Sequence, residues 1–109
     1  MRYILNSAVI TTPGRYQYRL IGIEDAKKWL HEGPYFSTIP YWENGLALSK
    51  ITGLMFFVDK TLVRMHQGDE ALVFRLTCRR TDPDLKIKLT HDFILQNCEI
   101  GILRKEEGL

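Results

Sequence analysis

The sequence predicts one α/β (α+β) domain, a mixed sheet of about five strands flanked by three helices, and three observations predict it. An unbroken apolar run at residues 71–74, entered through Gln67-Gly68-Asp69, suits a central strand covered on both faces. Residues 23–30 and the stretch reaching about residue 52 space their apolar side chains as amphipathic helices do. Segments such as 16–21 and 98–104 alternate with the period of a strand. Strands interleaved with helices in this order make a mixed sheet, not a bundle or a pure hairpin protein.

Each element follows from its residues. Residues 2–5 form a short strand, broken by Asn6-Ser7-Ala8 before the apolar pair Val9-Ile10. Thr11-Thr12-Pro13-Gly14 is a turn, and 16–21 is a second strand or hairpin arm. The first helix has Glu24 and Asp25 in its first turn, Lys27 and Lys28 further on, and Gly33 after its end. His31 falls in its last turn and suits the helix dipole, and Pro34 prevents the helix from resuming. A third strand is expected at 35–39, and Pro40-Tyr41-Trp42-Glu43-Asn44 leads into the second helix, stopped by Gly53. Residues 54–58 lead to an alternating strand at 61–65, and His66 marks a surface turn. Beyond the central strand, 81–84 is a polar loop and 85–88 is undecided. Thr90 caps a third helix at 91–97, 98–104 closes the sheet, and 105–109 is expected to be a frayed tail.

With 109 residues, 45% apolar and 26% charged, the chain has room for a single core, one domain spanning residues 1–109. A core this small gains from burying a partner surface, which favours a homodimer. The net charge of +2 is too mild for the broad phosphate contacts of a duplex-binding protein, and a compact anion suits it better. Cys78 and Cys98 lack metal-ligand spacing and read as thiols in a reducing cytoplasm; no metal and no cofactor are expected. No apolar run approaches the roughly 18 residues of a membrane span, so a cytoplasmic protein without a membrane partner is expected.

After Phe74 the central strand opens into alternation. Arg75, Thr77 and Arg79 then share one face and carry guanidinium groups to the edge where open α/β sheets bind ligands. The helix after Pro40 starts directly behind a strand, and its unpaired N–H groups form an anion site. Tyr41 and Trp42 stand at that mouth, as core or dimer filling or as a platform for a base.

On these residues the chain resembles the type III anti-CRISPR viral ring nucleases, a family of small archaeal-virus and mobile-element proteins. The likeness runs nearly end to end. It begins at Tyr3-Ile4-Leu5-Asn6-Ser7-Ala8-Val9, continues through the helix with Glu24, Ala26 and Leu30 and the Leu48-Ser49 and Gly53 pattern, and is most specific from Val63 through Gly68-Asp69 to Arg75-Leu76 and Arg79. The resemblance implies a homodimer with a central cleft for cyclic tetra-adenylate. In that cleft a ribose 2′-hydroxyl attacks the adjacent phosphodiester without metal, silencing the signal of type III CRISPR defence. It places Asn6 and Ser7 in the cleft and Arg79 at the scissile phosphate. Asp82 falls where the family usually has a glutamate. Ile39, Pro40 and Trp42, with Arg75, are the other expected ligand contacts.

The family's histidine, the general acid, falls on Tyr41 here. Phenols ionise near pH 10 and transfer protons poorly at pH 7, where such help is worth about 10² to 10⁴ in rate. Positioning and charge neutralisation by Arg79 act without the acid, so slow cleavage is expected. Two alternatives stay open: a sponge that sequesters a cyclic oligonucleotide, and a structural or interaction dimer that kept only the fold.

Overall fold

In the computed structural model, residues 1–7, 12–56, 58–79 and 81–108 are described. The expected Val9-Ile10 pair, the turn residues Ala8 and Thr11, Phe57 before the 61–65 segment, Arg80 of the central strand and the terminal Leu109 lie outside the described residues. In chain order the elements are β1 (Arg2–Leu5), β2 (Arg15–Leu20), α1 (Ile23–His31), β3 (Phe36–Ser37), α2 (Trp42–Thr52), β4 (Glu70–Leu76), α3 (Leu85–Lys88), α4 (His91–Gln96) and β5 (Cys98–Glu107). The strands form one mixed sheet in the order β2-β5-β4-β1-β3, so the apolar run at 71–74 lies in its middle strand. β1 runs parallel to both β3 and β4, whereas β5 is antiparallel to β4 and β2. None of the described helices is long and apolar enough to cross a membrane.

The pleat sends alternate side chains of β4 to two different cores. Leu72 and Phe74 join Ile4, Ile100 and Ile102 beneath the helices, which contribute Ala26, Trp29 and Leu30 from α1, Ala47, Leu48 and Ile51 from α2, and Ile94 from α4. Ala71 and Val73 face the other way, into a smaller cluster with Met65 and Leu103 that Tyr3, Leu5 and Val63 border. Each buried aliphatic or aromatic side chain contributes about 1.5–3 kcal/mol, so the larger cluster dominates stability. Trp29 is the rivet of α1: its indole Nε1 donates to Glu70 Oε1 at 2.6 Å, and the Arg2 guanidinium lies 3.8 Å from its ring centre while donating to the carbonyls of Gly33 and Trp29. Gly53 ends α2 at φ 75°, a conformation that costs other residues a clash of Cβ with backbone.

Five expectations are corrected. Residues 61–65 do not form a strand. Leu54 and Phe56 pack in the helical layer, Asp59 N donates to Ile39 O at 2.9 Å beyond the end of the edge strand, and Val63 and Met65 pack on the opposite face. The segment is thus a strap that wraps round the β3 edge, and its alternation records burial of Val63 and Met65, not strand pairing. The third strand shrinks to Phe36 and Ser37, because Thr38 already turns its N–H and hydroxyl to Ile4 O, at 3.0 and 2.7 Å. The central strand stops at Leu76, leaving Thr77, Cys78 and Arg79 in the segment after it. The undecided stretch is a single helical turn, α3, which makes four helices rather than three among the described residues. The tail is not frayed up to Glu107. Lys105 pairs with Tyr16 and Glu107 with Arg15, and the Lys105 side chain is fully buried, its Nζ donating to Met65 O and Thr12 Oγ1, each at 3.0 Å.

Candidate functional site

The shared direction of β1, β3 and β4 brings their carboxyl ends to one edge of the sheet, β1 between the other two. Asn6 and Ser7 follow β1 at the centre of that edge. Thr38 to Tyr41 follow β3 and lead into the amino terminus of α2, while Thr77 to Arg79 follow β4. Asn44 Oδ1 accepts Leu76 N at 3.2 Å, which ties the first turn of α2 to the end of the central strand. Tyr41 is the N-cap residue of α2, with extended backbone and no side-chain cap bond, so the leading N–H groups of the helix are not satisfied by a capping side chain.

The expected residues divide into groups. Asn6, Ser7 and Pro40 line one cavity of about 230 Å³, together with Thr38, Lys60 and Thr61, above a floor that includes Tyr16 and Met65. A second cavity of about 530 Å³ lies beyond the strap, bordered by Tyr3, Phe36 and Arg64; Thr38, Thr61, Leu62 and Val63 belong to both walls. Tyr41 and Trp42 are 38% and 49% exposed at the α2 mouth. Ile39 is fully buried, so its side chain is core and only its backbone faces the strap.

Arg79 and Asp82 occupy the loop after β4. Arg79 Nε donates to Thr81 Oγ1 at 3.2 Å, and its terminal guanidinium nitrogens have no partner among the described residues. Asp82 has both oxygens engaged, Oδ2 by Lys88 Nζ at 2.6 Å and Oδ1 by Asp84 N at 2.9 Å. The hydrogen bond from Lys88, followed by that from the Asp84 backbone, holds the Asp82 carboxyl below the usual range, and the same bond raises Lys88. Asp82 is therefore a carboxylate near neutrality and holds no proton to give. Arg75 lies on the sheet face away from the helices, its Nε 3.3 Å from Glu99 Oε2, and Tyr18 Oη donates to that same oxygen at 3.1 Å. Its charge is therefore partly committed within the sheet.

Four contributors escaped the sequence reading. Lys88 lies in a stretch too short for periodicity to assign, and Lys60 and Thr61 reach the cavity only because the strap folds back over the sheet. Glu43 is 8% exposed on the first turn of α2, its Oε2 enclosed without a hydrogen-bond partner, and nothing in its sequence context marks it as buried.

A five-stranded mixed sheet with helices packed on one face defines a small α+β class. Within it, the STIV B116-like family model matches residues 2–99, and the chain belongs to that family. The uncharacterized protein YddF of Bacillus subtilis (strain 168) is 31% identical over 74 residues, which cover 66% of this chain and 68% of that protein. The structure of B116 of Sulfolobus turreted icosahedral virus superposes with a TM-score of 0.77 over 94% of this chain and 97% of that one, at 16% identity, a likeness of fold.

Proposed function

We propose that this chain binds a cyclic oligoadenylate, cyclic tetra-adenylate first, at the carboxyl edge of its sheet, two copies closing around the ring as a homodimer. The observation that carries the reading is the convergence of three strand ends: Asn6 and Ser7, the uncapped start of α2 with Tyr41 and Trp42, and the open guanidinium fork of Arg79. A planar fork of donors matches a phosphodiester in two-point contact, and Trp42 offers a face for a base.

The reaction is metal-independent strand cleavage. A ribose 2′-oxygen attacks the adjacent phosphorus and loses its proton to solvent; the bond to the 5′-oxygen breaks and that oxygen takes up a proton, leaving a cyclic 2′,3′-phosphate and a 5′-hydroxyl. Arg79 neutralises the charge that builds on the phosphate. Tyr41 donates a hydrogen bond toward the leaving oxygen, and because phenols as a class transfer protons poorly at neutral pH, turnover is slow. Asp82, ionised and tied to Lys88, shapes the Arg79 loop and exchanges no proton. Cleavage of this kind would counter type III CRISPR signalling in the cytoplasm. Tyr41 in place of an imidazole also favours a second reading, a sponge that holds the ring intact.

Purified protein mixed with radiolabelled cyclic tri-, tetra- and hexa-adenylate, with and without a chelator, separates the readings. Linear product in the presence of chelator supports the enzyme, retained intact ring supports the sponge, and neither retention nor product discards both. Tyr41→His should raise the cleavage rate at least tenfold by supplying a group tuned to neutral pH. Bound ring with no gain in rate would show that position 41 does not face the leaving group.

A further inference from the structure

Among the described residues Arg79 brings open guanidinium donors to the carboxyl edge, and a carboxylate that competes for them, Asp82, is inside its own loop. Asp82 N donates to Arg79 O at 3.3 Å, so a tight turn brings the two residues together, and the Arg79 charge adds, after Lys88 and the Asp84 backbone, to what holds that carboxyl low. Such a carboxylate would ordinarily take the guanidinium in a two-point pair. It does not here, because Lys88 Nζ holds Oδ2 at 2.6 Å while the Asp84 N–H holds Oδ1. Among the described residues the terminal nitrogens of Arg79 are left open, with only Nε engaged, by Thr81.

We infer that Lys88 is a positioning residue of the anion site, one that keeps Asp82 away from Arg79 and so leaves the guanidinium fork available to a phosphodiester. The inference rests on the reading of Arg79 as the anion-binding group. Of the other ionisable groups near this pair, Asp84 gives Asp82 its backbone N–H while its own carboxylate adds negative charge near Lys88, and Cys78 lies nearby without bonding it. α3 is a single turn that brings the Lys88 side chain back over the loop, and the ammonium is half exposed, so removing it leaves no cavity.

The test is calorimetric titration of cyclic tetra-adenylate into the full chain and its variants. Lys88→Met should weaken binding about two- to fivefold, the range an exposed ion pair at Arg79 would withhold, and Lys88→Arg should retain affinity. The decisive variant adds Asp82→Asn to Lys88→Met. An asparagine still accepts from Asp84 N but has no charge to offer Arg79, so affinity should return. Unchanged affinity in Lys88→Met overturns the inference, and so does a double variant as weak as the single one, which would mean that Lys88 touches the ligand itself. Arg79→Ala distinguishes the two levels. If it binds as the parent does, or if the parent does not bind, the anion site is misplaced; if it weakens binding while Lys88→Met does not, only the role of Lys88 is lost.

Discussion

At the scale of single residues, the open face of the sheet is governed by one carboxylate with two neighbours. The hydrogen bond from Arg75 holds Glu99 below the usual carboxylate range, with Tyr18 assisting. Burial first, and Glu99 second, push Tyr18 up to about 12. Gly101 makes room for this arrangement: a Cβ there would lie 2.4 Å from Tyr18 Cζ, so Gly101→Ala should displace the phenol from Glu99. The signs of the two shifts differ in consequence. A carboxyl depressed in the folded state adds stability above its ordinary value and loses it as pH falls through the lower one. Wild type should therefore be more stable than Glu99→Gln at pH 7 by less than about 1 kcal/mol, and chemical denaturation repeated from about pH 5 downward should show the gap closing. For Tyr18 the raised value means stability present below about 10 and lost on rising through about 12. Phenolate absorbance should show a tyrosine titrating near 12 that is absent in Tyr18→Phe and shifted down in Glu99→Gln, distinct from Tyr3, which burial also raises.

At the scale of elements, the strap and β5 hold each other. Lys105 passes its buried ammonium to Met65 O in the strap and Thr12 Oγ1 beside β2, under the Tyr16 ring, so one side chain fastens three segments over the smaller core. Lys105→Met keeps the volume but removes the donors, and urea unfolding should show a loss of about 1–3 kcal/mol. The helical layer depends on smaller fittings. Thr90 caps α4 by accepting Phe93 N at 3.3 Å, and Lys50 Nζ joins α2 to Leu89 O at 2.7 Å. Thr90→Ala should cost about 1 kcal/mol in the same assay without touching the carboxyl edge.

At the scale of the whole molecule, a sheet padded by helices on one face and by a strap on part of the other keeps its shape across sequences only 16% identical. What survives such divergence is the arrangement of strands and helices. If two copies enclose one ring, titration with cyclic tetra-adenylate should give one ligand for every two chains, and sedimentation should show the dimer at working concentration. One ligand per chain on a monomer would remove the shared cleft.

The chain's own order of residues determined the middle strand, both long helices with their polar ends, the glycine stop of α2 and the Thr90 cap. These rest on local periodicity and capping, which neighbours along the chain express by themselves. Only the tertiary structure decided that 61–65 lies across the sheet instead of joining it, that Lys105 is core, that Ile39 faces inward, and that Asp82 is bound to Lys88 with Arg79 left open. In each of these the outcome depends on which distant backbone group or charge is nearest once the sheet has formed, and separation along the chain carries no record of that distance.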